Sequence, residues 1–547
     1  YTSPVGVAVL TSKDVSSEPH GTFPLPHPQD LYTLPPIGGK VRYVGDPVAA
    51  VAAKDIDTAE EALELIDVEY KELPSVLDPE EALKPDAPRI HPWGNLAVDP
   101  MNIEFGDIEK GFKEADYVFE DTYRTSIQCH ACAETHSCVA DWDEDGKITV
   151  WAGTQAPFAT RECLALALGI SEDRIRVVVP PGGFGGGFGS KKEVQSLSLD
   201  IAALLAKKAG RPVKLVFTRE EEFACTETRH PTVVRLKTGV KKDGTLTVRH
   251  SKTIYDTGAY ASHGSFVFTR AMRSLALWRC ANIKYEGLLV YTNKVVAGAM
   301  RGYGNPQHTF AVELQNDQIA EELGIDPMEW RLKNHIRVGD IDKAPGRGDP
   351  GKPIGGSNWI PALYKIQSCG LSECIVKGAE SIGWERRKMK PGEVGETRKR
   401  GIGMACGMHS SGTMPTPRFS SVYIRLNEDG RIDIISGGCD HGGTGQHTVI
   451  AQIAAEELGV PLETITVTAE EARVDRHPYT YLEGDGYYYY PATNAPPFFV
   501  DFAEVEVDTE TGQVKVLKIV AAHDSGRAIN PMFFEGQVQG GIQQGVG

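Results

Sequence analysis

The sequence predicts a multi-domain protein of mixed α/β (α+β) class. Three observations carry this. The chain has 547 residues, more than one hydrophobic core organises when a domain takes ~150. Short strand-like runs alternate with stretches of helical period along its length. Three glycine-dense loops, at residues 182–189, 298–306 and 442–446, each lead into an apolar helical pattern.

In chain order, residues 40–75 read as one small α/β unit. Residues 41–44 and 48–53 are strand-like, Thr58 with Glu61 forms a capping-box pattern for a helix through Leu65, and residues 66–70 alternate as a strand does. The looser, proline-containing stretch 73–100 marks a domain boundary. Residues 174–179 form a strand before the first glycine loop, and Val194, Leu197, Ile201, Leu204 and Leu205 recur at helical spacing after it. Residues 288–291 lead into the second loop, and Phe310, Leu314, Ile319 and Leu323 follow it on one helical face. Residues 340–400 are rich in Gly, Pro and charge and read as a linker or surface excursion. A further unit starts near Gly401. It holds strands at 422–426 and 431–436, a helix with Ile450, Ala454 and Leu458 on one face after the third loop, and a hairpin over 503–520.

Glycine costs ~0.5–1 kcal/mol relative to alanine in ordered structure. The first loop holds six glycines within residues 182–189, so its ordering needs compensation. Close approach of main-chain N–H groups to an anionic ligand supplies it, because helix N-termini carry roughly +0.5 charge and bind anions. A tight chain crossing explains any one such loop equally well; three loops, each at a helix start, favour a shared polyanion. The common nucleotide motifs do not fit. The loop lysine, Lys191, follows Ser190 rather than preceding a hydroxyl residue, and a Gly-x-Gly-x-x-Gly register from Gly183 and Gly185 ends on Phe188.

A net charge of −17 argues against nonspecific nucleic-acid or anionic-membrane binding. No apolar run reaches the ~18 residues needed to span a bilayer. Ten cysteines in this length do not make a disulfide framework, and a reducing, cytoplasmic location is expected. Cys129-x-x-Cys132 has a metal-ligand spacing but no second pair, so buried or loop thiols are favoured over a metal site.

Several strings in fixed order resemble the molybdenum hydroxylase family, specifically the large molybdopterin-binding subunit of xanthine dehydrogenase- and aldehyde oxidase-like enzymes. They are residues 41–49, Glu134-Thr-His136, residues 153–157, 185–191, 256–262, 299–307, 524–531 and 536–545. The resemblance implies a small N-terminal hammerhead-like α/β domain over 1–85, with its start clipped. It implies two large molybdopterin-binding domains over 100–398 and 399–547, the second incomplete and interrupted near 473–484. It implies a molybdenum–molybdopterin cofactor, in the cytosine dinucleotide form. Iron–sulfur and FAD centres are then expected on partner subunits, in a hetero-oligomer such as a dimer of heterotrimers. By the same resemblance, Gln155, Phe188 and Arg301 are metal-proximal, and Gly187, Gly189, Ala299, Met300, Gly443, Thr444, Gly445 and Gln446 contact the cofactor. The implied reaction is hydroxylation of an aromatic, N-heterocyclic or aldehyde substrate with water as the oxygen source.

The match departs from the family in several places. The family's general-base glutamate, in a late Gly-x-Gly-Glu, is expected beyond Gly547. Glutamine is frequent where Thr444 stands. Xanthine-type members carry a glutamate four residues after the loop phenylalanine, where this chain has Lys192, which argues against a standard purine pocket. No cysteine stands in the 299–301 loop, so carbon monoxide chemistry is disfavoured. His130-Ala-x-x-Glu134-Thr-His136 is similar to the 4-hydroxybenzoyl-CoA reductase branch and raises reductive dehydroxylation of an aryl-CoA thioester as an alternative. A non-catalytic cofactor-binding or assembly paralogue is the alternative from another class.

Overall fold

The computed structural model describes residues 8–21, 28–180, 182–192, 198–348, 355–356, 359–361, 364–388, 397–409, 422–436, 438–469 and 495–546. The architecture is mixed α/β. Near the N-terminus, strands Ala8–Leu10 and Ala50–Ala52 pair antiparallel. The helix Ile56–Glu64 follows, and its cap is Asp55, whose carboxylate accepts the Thr58 N–H at 2.8 Å. The expected cap at Thr58 therefore moves back three residues. The strands expected at 41–44 and 66–70 do not form. Their residues are largely exposed and lie outside every strand pairing, so no neighbouring edge offers the ladder that alternation alone cannot supply.

A four-stranded sheet runs in the order Ile175–Val178, Ile148–Ala152, Ser137–Trp142, Val213–Val216. The helices Pro157–Leu168 and Leu199–Ala209 cover it, and Val150, Val177, Leu164 and Ala202 are fully buried between them. Val194 and Leu197, expected on the second helix, lie outside the described residues. Beside this unit stands a six-stranded sheet whose long central strands are Asn282–Tyr291, Leu246–Gly258 and Thr232–Val240. The helix Asn305–Glu322 packs on it with an unexpected face. Phe310 and Leu314 are exposed, whereas His308, Gln315 and Asn316 are buried. Polar partners make that possible: Gln315 Nε2 donates to Leu236 O at 3.0 Å, and Arg249 donates to Asn316 Oδ1 at 2.7 Å.

The C-terminal part has an antiparallel sheet of Arg398–Met408, Phe498–Asp508 and Val514–Asp524, and a smaller sheet of Val422–Leu426, Ile432–Ser436 and Ile465–Ala469 carrying the helix Gln446–Leu458. The stretch 340–400 is not a linker throughout. Within it the helix Leu371–Ile382 buries Leu371, Ile375, Ala379 and Ile382 in the main core. Gly378 brings that helix onto the sheet, since a Cβ there would stand 2.4 Å from the Phe502 ring. The interruption expected near 473–484 lies outside the described residues.

One buried ion network ties these layers together. Arg331 Nε donates to Glu313 Oε2 at 2.9 Å, and the same oxygen accepts the Cys406 N–H at 2.7 Å from the strand Arg398–Met408. Arg331 also reaches Asp317 at 2.6 Å. Burial pushes the Glu313 carboxyl up, and the adjacent guanidinium opposes that shift. Removing one partner of a buried pair leaves an uncompensated charge at about 3–5 kcal/mol. Arg331→Met is therefore expected to lower the melting temperature measurably by calorimetry, whereas exposed Lys377→Met, which breaks a surface pair with Glu373, leaves it nearly unchanged. Equal effects would contradict this assignment.

Candidate functional site

The three glycine loops converge. The first begins after the strand Ile175–Val178, and its backbone is bent through left-handed positions at Gly186, Phe188 and Gly189. Gly189 is required on two counts: its φ is +121°, and a Cβ would stand 2.1 Å from Ala299 O of the second loop. The Arg301 N–H donates to Phe188 O at 2.8 Å, closing the first two loops together. The third loop joins through the Gly442 N–H, which donates to Phe184 O at 2.7 Å. Gly183 lets these strands touch, since a Cβ there would meet Asp440 O at 2.3 Å.

Gln155 comes from the turn between the strand Ile148–Ala152 and the helix Pro157–Leu168. Its N–H donates to Lys191 O at 2.7 Å, and its Oε1 accepts the Gly189 N–H at 2.9 Å. Any side chain at Gly187 would strike that amide, with 2.5 Å from Cβ to Oε1. With Oε1 engaged, the amide NH2 is the donor Gln155 has left to offer a ligand.

A cavity of about 290 Å³ opens between the loops. Gln155, Gly187, Phe188 and Gly189 line one side, and Ala299, Met300, Arg301 and Thr444 line others. Gly443, Gly445 and Gln446 do not line it. Gly443 O accepts from Gln537 at 3.0 Å, Gly445 faces the Phe533 ring, and the Gln446 amide packs against Gly438. The third loop instead turns on Asp440, which accepts the Thr444 hydroxyl at 2.8 Å and the Gln446 N–H at 3.2 Å. Lys192, Tyr303, His441 and Gln537 complete the lining. Of these, sequence reasoning weighed only Lys192 as a site residue. Tyr303 and Gln537 sit inside motif strings, but their roles depend on folding partners that no local pattern encodes.

The supporting shell is polar and fixed. Lys191 does not face the cavity. It is buried, donates to Glu134 O at 2.9 Å and pairs with Glu134 Oε1 at 3.1 Å, while Glu134 Oε2 accepts the Gly185 N–H at 2.6 Å. His136 is held by Glu222 at 2.8 Å. His130 lies between Glu227 O and Ala299 O at 2.9 and 2.8 Å, and burial pushes its imidazole down to about 4. Arg301 donates to Gln537 O at 2.5 Å and Oε1 at 3.1 Å, and its own carbonyl accepts from Arg229 at 2.9 Å. Burial lowers the Arg301 guanidinium somewhat without removing its charge. Cys132 lies beside Ser190 with Sγ 3.9 Å from Oγ, and among the described residues no cluster of three or more His, Cys, Asp and Glu is placed to hold a metal.

Comparison with known proteins settles the family. Residues 2–74 match the aldehyde oxidase and xanthine dehydrogenase a/b hammerhead domain. Residues 90–335, and then 377–481 and 478–547, match two molybdopterin cofactor-binding domain families. A putative xanthine dehydrogenase molybdenum-binding subunit of Escherichia coli K12 is 33% identical across 93% of this chain and 75% of its own length. The chain belongs to the xanthine dehydrogenase and aldehyde oxidase family of molybdenum hydroxylases. A probable xanthine dehydrogenase subunit of Bacillus subtilis strain 168 is 38% identical over 84% of this chain and 58% of its own length. The solved aldehyde oxidoreductase from Desulfovibrio gigas superposes with a TM-score of 0.85 at 26% identity, over 99% of this chain and 64% of that one. The hammerhead fold and the molybdopterin-binding domains of the molybdenum hydroxylases account for the architecture. Among the described residues no helix is long and apolar enough to cross a membrane.

The donor set fits the family's anionic pterin cofactor. The lining presents glycine backbone, two glutamine amides and the cations Lys192 and Arg301, and among the described residues it contains no Asp or Glu. The nearby acid is Glu227, which sequence reasoning missed. It is buried, accepts the Ser262 hydroxyl through Oε1, and leaves Oε2 without a partner. Gly298 must be glycine here, since a Cβ would fall 1.9 Å from Glu227 Oε2. Burial pushes this carboxyl from its ordinary 4.5 up to about 7. Folding therefore favours the protonated form, and the stability is full below pH 4.5 and lost as pH rises through about 7. Glu227→Gln is expected to match the wild type near pH 4 and to exceed it at pH 8 by on the order of 3 kcal/mol, read as a higher melting temperature. An unchanged pH slope in the variant would contradict the buried-acid assignment.

Proposed function

We propose that this chain is the molybdopterin-holding catalytic part of a molybdenum-dependent oxidoreductase. It hydroxylates an aromatic, N-heterocyclic or aldehyde substrate with water as the oxygen source, and electrons leave to iron–sulfur and FAD centres on partner subunits in a cytoplasmic hetero-oligomer. With this reading goes a division into three domains, 1–85, 100–398 and 399–547. The observation that carries this reading is the cavity at the meeting point of three glycine loops, whose described lining residues include no carboxylate. When bound, a molybdenum–pterin cofactor, taken here as the cytosine dinucleotide, supplies the two-electron redox step.

The chain's residues supply position and field. The backbone of Gly187, Gly189 and Gly442, which carries no side chain, would let an anionic cofactor come close. Arg301, fixed by Gln537, places a permanent positive charge beside it, and the Gln155 amide offers a directed donor. Gly443, Gly445 and Gln446 act behind the lining, as the backbone that shapes this turn. No described lining residue is a carboxylate, so the general base for water attack is a residue outside this set. Reductive dehydroxylation has no comparable support: His130, Glu134 and His136, which raised it, are engaged in bracing the loops.

Purified protein is expected to contain about one molybdenum and one pterin dinucleotide per chain. Gly189→Val, which drives a side chain into Ala299 O, is expected to lose most of that cofactor while circular dichroism stays native-like. Zinc alone, or no metal in the wild type, would contradict the proposal.

A further inference from the structure

The cavity's lining is cationic in a chain of net charge −17. Its two charged residues differ in how they are engaged. Arg301 is tied to Gln537. The Lys192 ammonium, among the described residues, has no hydrogen-bond or ion-pair partner and stands 5.3 Å from the centroid of the Tyr303 ring. The neighbouring Lys191 shows the contrast, since it is neutralised by Glu134. Glu227 lies within the field of Lys192 but is bonded to Ser262, buried beneath Gly298 and absent from the lining. His441 also faces Lys192; burial pushes its imidazole down, Asp440 opposes that and Lys192 adds to it, and neither protonation state of an imidazole is an anionic partner.

The position of Lys192 is fixed at its main chain. Its carbonyl accepts the Thr160 hydroxyl at 2.7 Å and the Thr154 hydroxyl at 3.3 Å, both on buried side chains. Tyr303 is fixed too. Its backbone is left-handed at φ 53°, and its hydroxyl is bonded to His263 Nδ1 at 2.7 Å. A preset ammonium beside a preset aromatic face, with Phe188 on the same cavity wall, matches a flat ring that carries a negative charge.

We propose that Lys192 is the specificity-determining residue of this site and that the substrate is an aromatic or N-heteroaromatic ring bearing a carboxylate. This rests on the function proposed above and narrows its substrate class. The Lys192 ammonium binds the carboxylate, and the Tyr303 face positions the ring. A glutamate at this position would repel such a substrate, so the charge reversal works in both directions.

The test uses wild-type holoenzyme and its Lys192→Met, Lys192→Arg and Lys192→Glu variants. Calorimetry measures binding of benzoate and of pyridine-2-, 3- and 4-carboxylate against the matching amides, and molybdenum and pterin phosphate are counted in each sample. The expected result is at least one acid bound about tenfold or more tighter than its amide by the wild type. That preference is kept by Lys192→Arg, lost in Lys192→Met and reversed in Lys192→Glu, each read per molybdenum-loaded chain. No acid preference in any pair, or a preference that survives Lys192→Met, overturns the proposal while leaving the function above intact. Loss of cofactor from Lys192→Met with an unaltered preference also overturns it, because the lysine then serves the cofactor's phosphate. A wild type that contains no molybdenum or pterin overturns both.

Discussion

The close main-chain approach between residues 183–189, 299–301 and 440–442 is the constraint on which the rest depends. At Gly189 the backbone comes so near Ala299 O that no other residue fits, and at Gly183 the same holds against Asp440 O. Two hydrogen bonds, Arg301 to Phe188 and Gly442 to Phe184, fasten the three loops. Around this junction the sheets act as a frame. The strands Ile175–Val178 and Asn282–Tyr291 deliver two of the loops, and the helix Gln446–Leu458 anchors the third. The buried polar residues nearby work for the junction: Glu134 holds the first loop through the Gly185 N–H, and His130 ties Ala299 to Glu227.

That dependence explains the electrostatic character of the cavity. Acidic side chains are abundant in the protein, yet the described ones near the site stand outside the cavity lining. Glu134 faces Lys191, Glu222 faces His136, and Glu227 lies under Gly298. What lines the cavity among the described residues is backbone, amide, cation and the rings of Phe188, Tyr303 and His441. Such a lining draws anions, and it gives the cofactor and the substrate the same electrostatic preference.

Much of this was legible from sequence where local chemistry is restrictive. Glycine clusters announce close approach, so the three loops and the helices after them, Leu199–Ala209, Asn305–Glu322 and Gln446–Leu458, were readable. So were the hairpin of Phe498–Asp508 with Val514–Asp524 and the strand Ile175–Val178. Where tertiary partners decide, the pattern misled. The alternation at 66–70 had no edge to join, and the helix Leu371–Ile382 hid within a stretch of glycine and charge. On the helix Asn305–Glu322 the apolar face was misjudged because Gln315 and Asn316 find buried hydrogen-bond partners. Gln155, Phe188 and Arg301, expected from their motif strings, come together on one cavity, whereas Glu227 carries no local signature. Gln446 looked like a contact residue from its motif, but its side chain turns behind Gly438.

Anomalous diffraction at the molybdenum edge, from crystals of protein as purified, measures most directly whether the three turns enclose one prosthetic group. The account requires a single strong peak inside the space bounded by Gln155, Phe188 and Arg301. A peak located on another face of the protein, or crystals with molybdenum bound and no signal in that space, would contradict it.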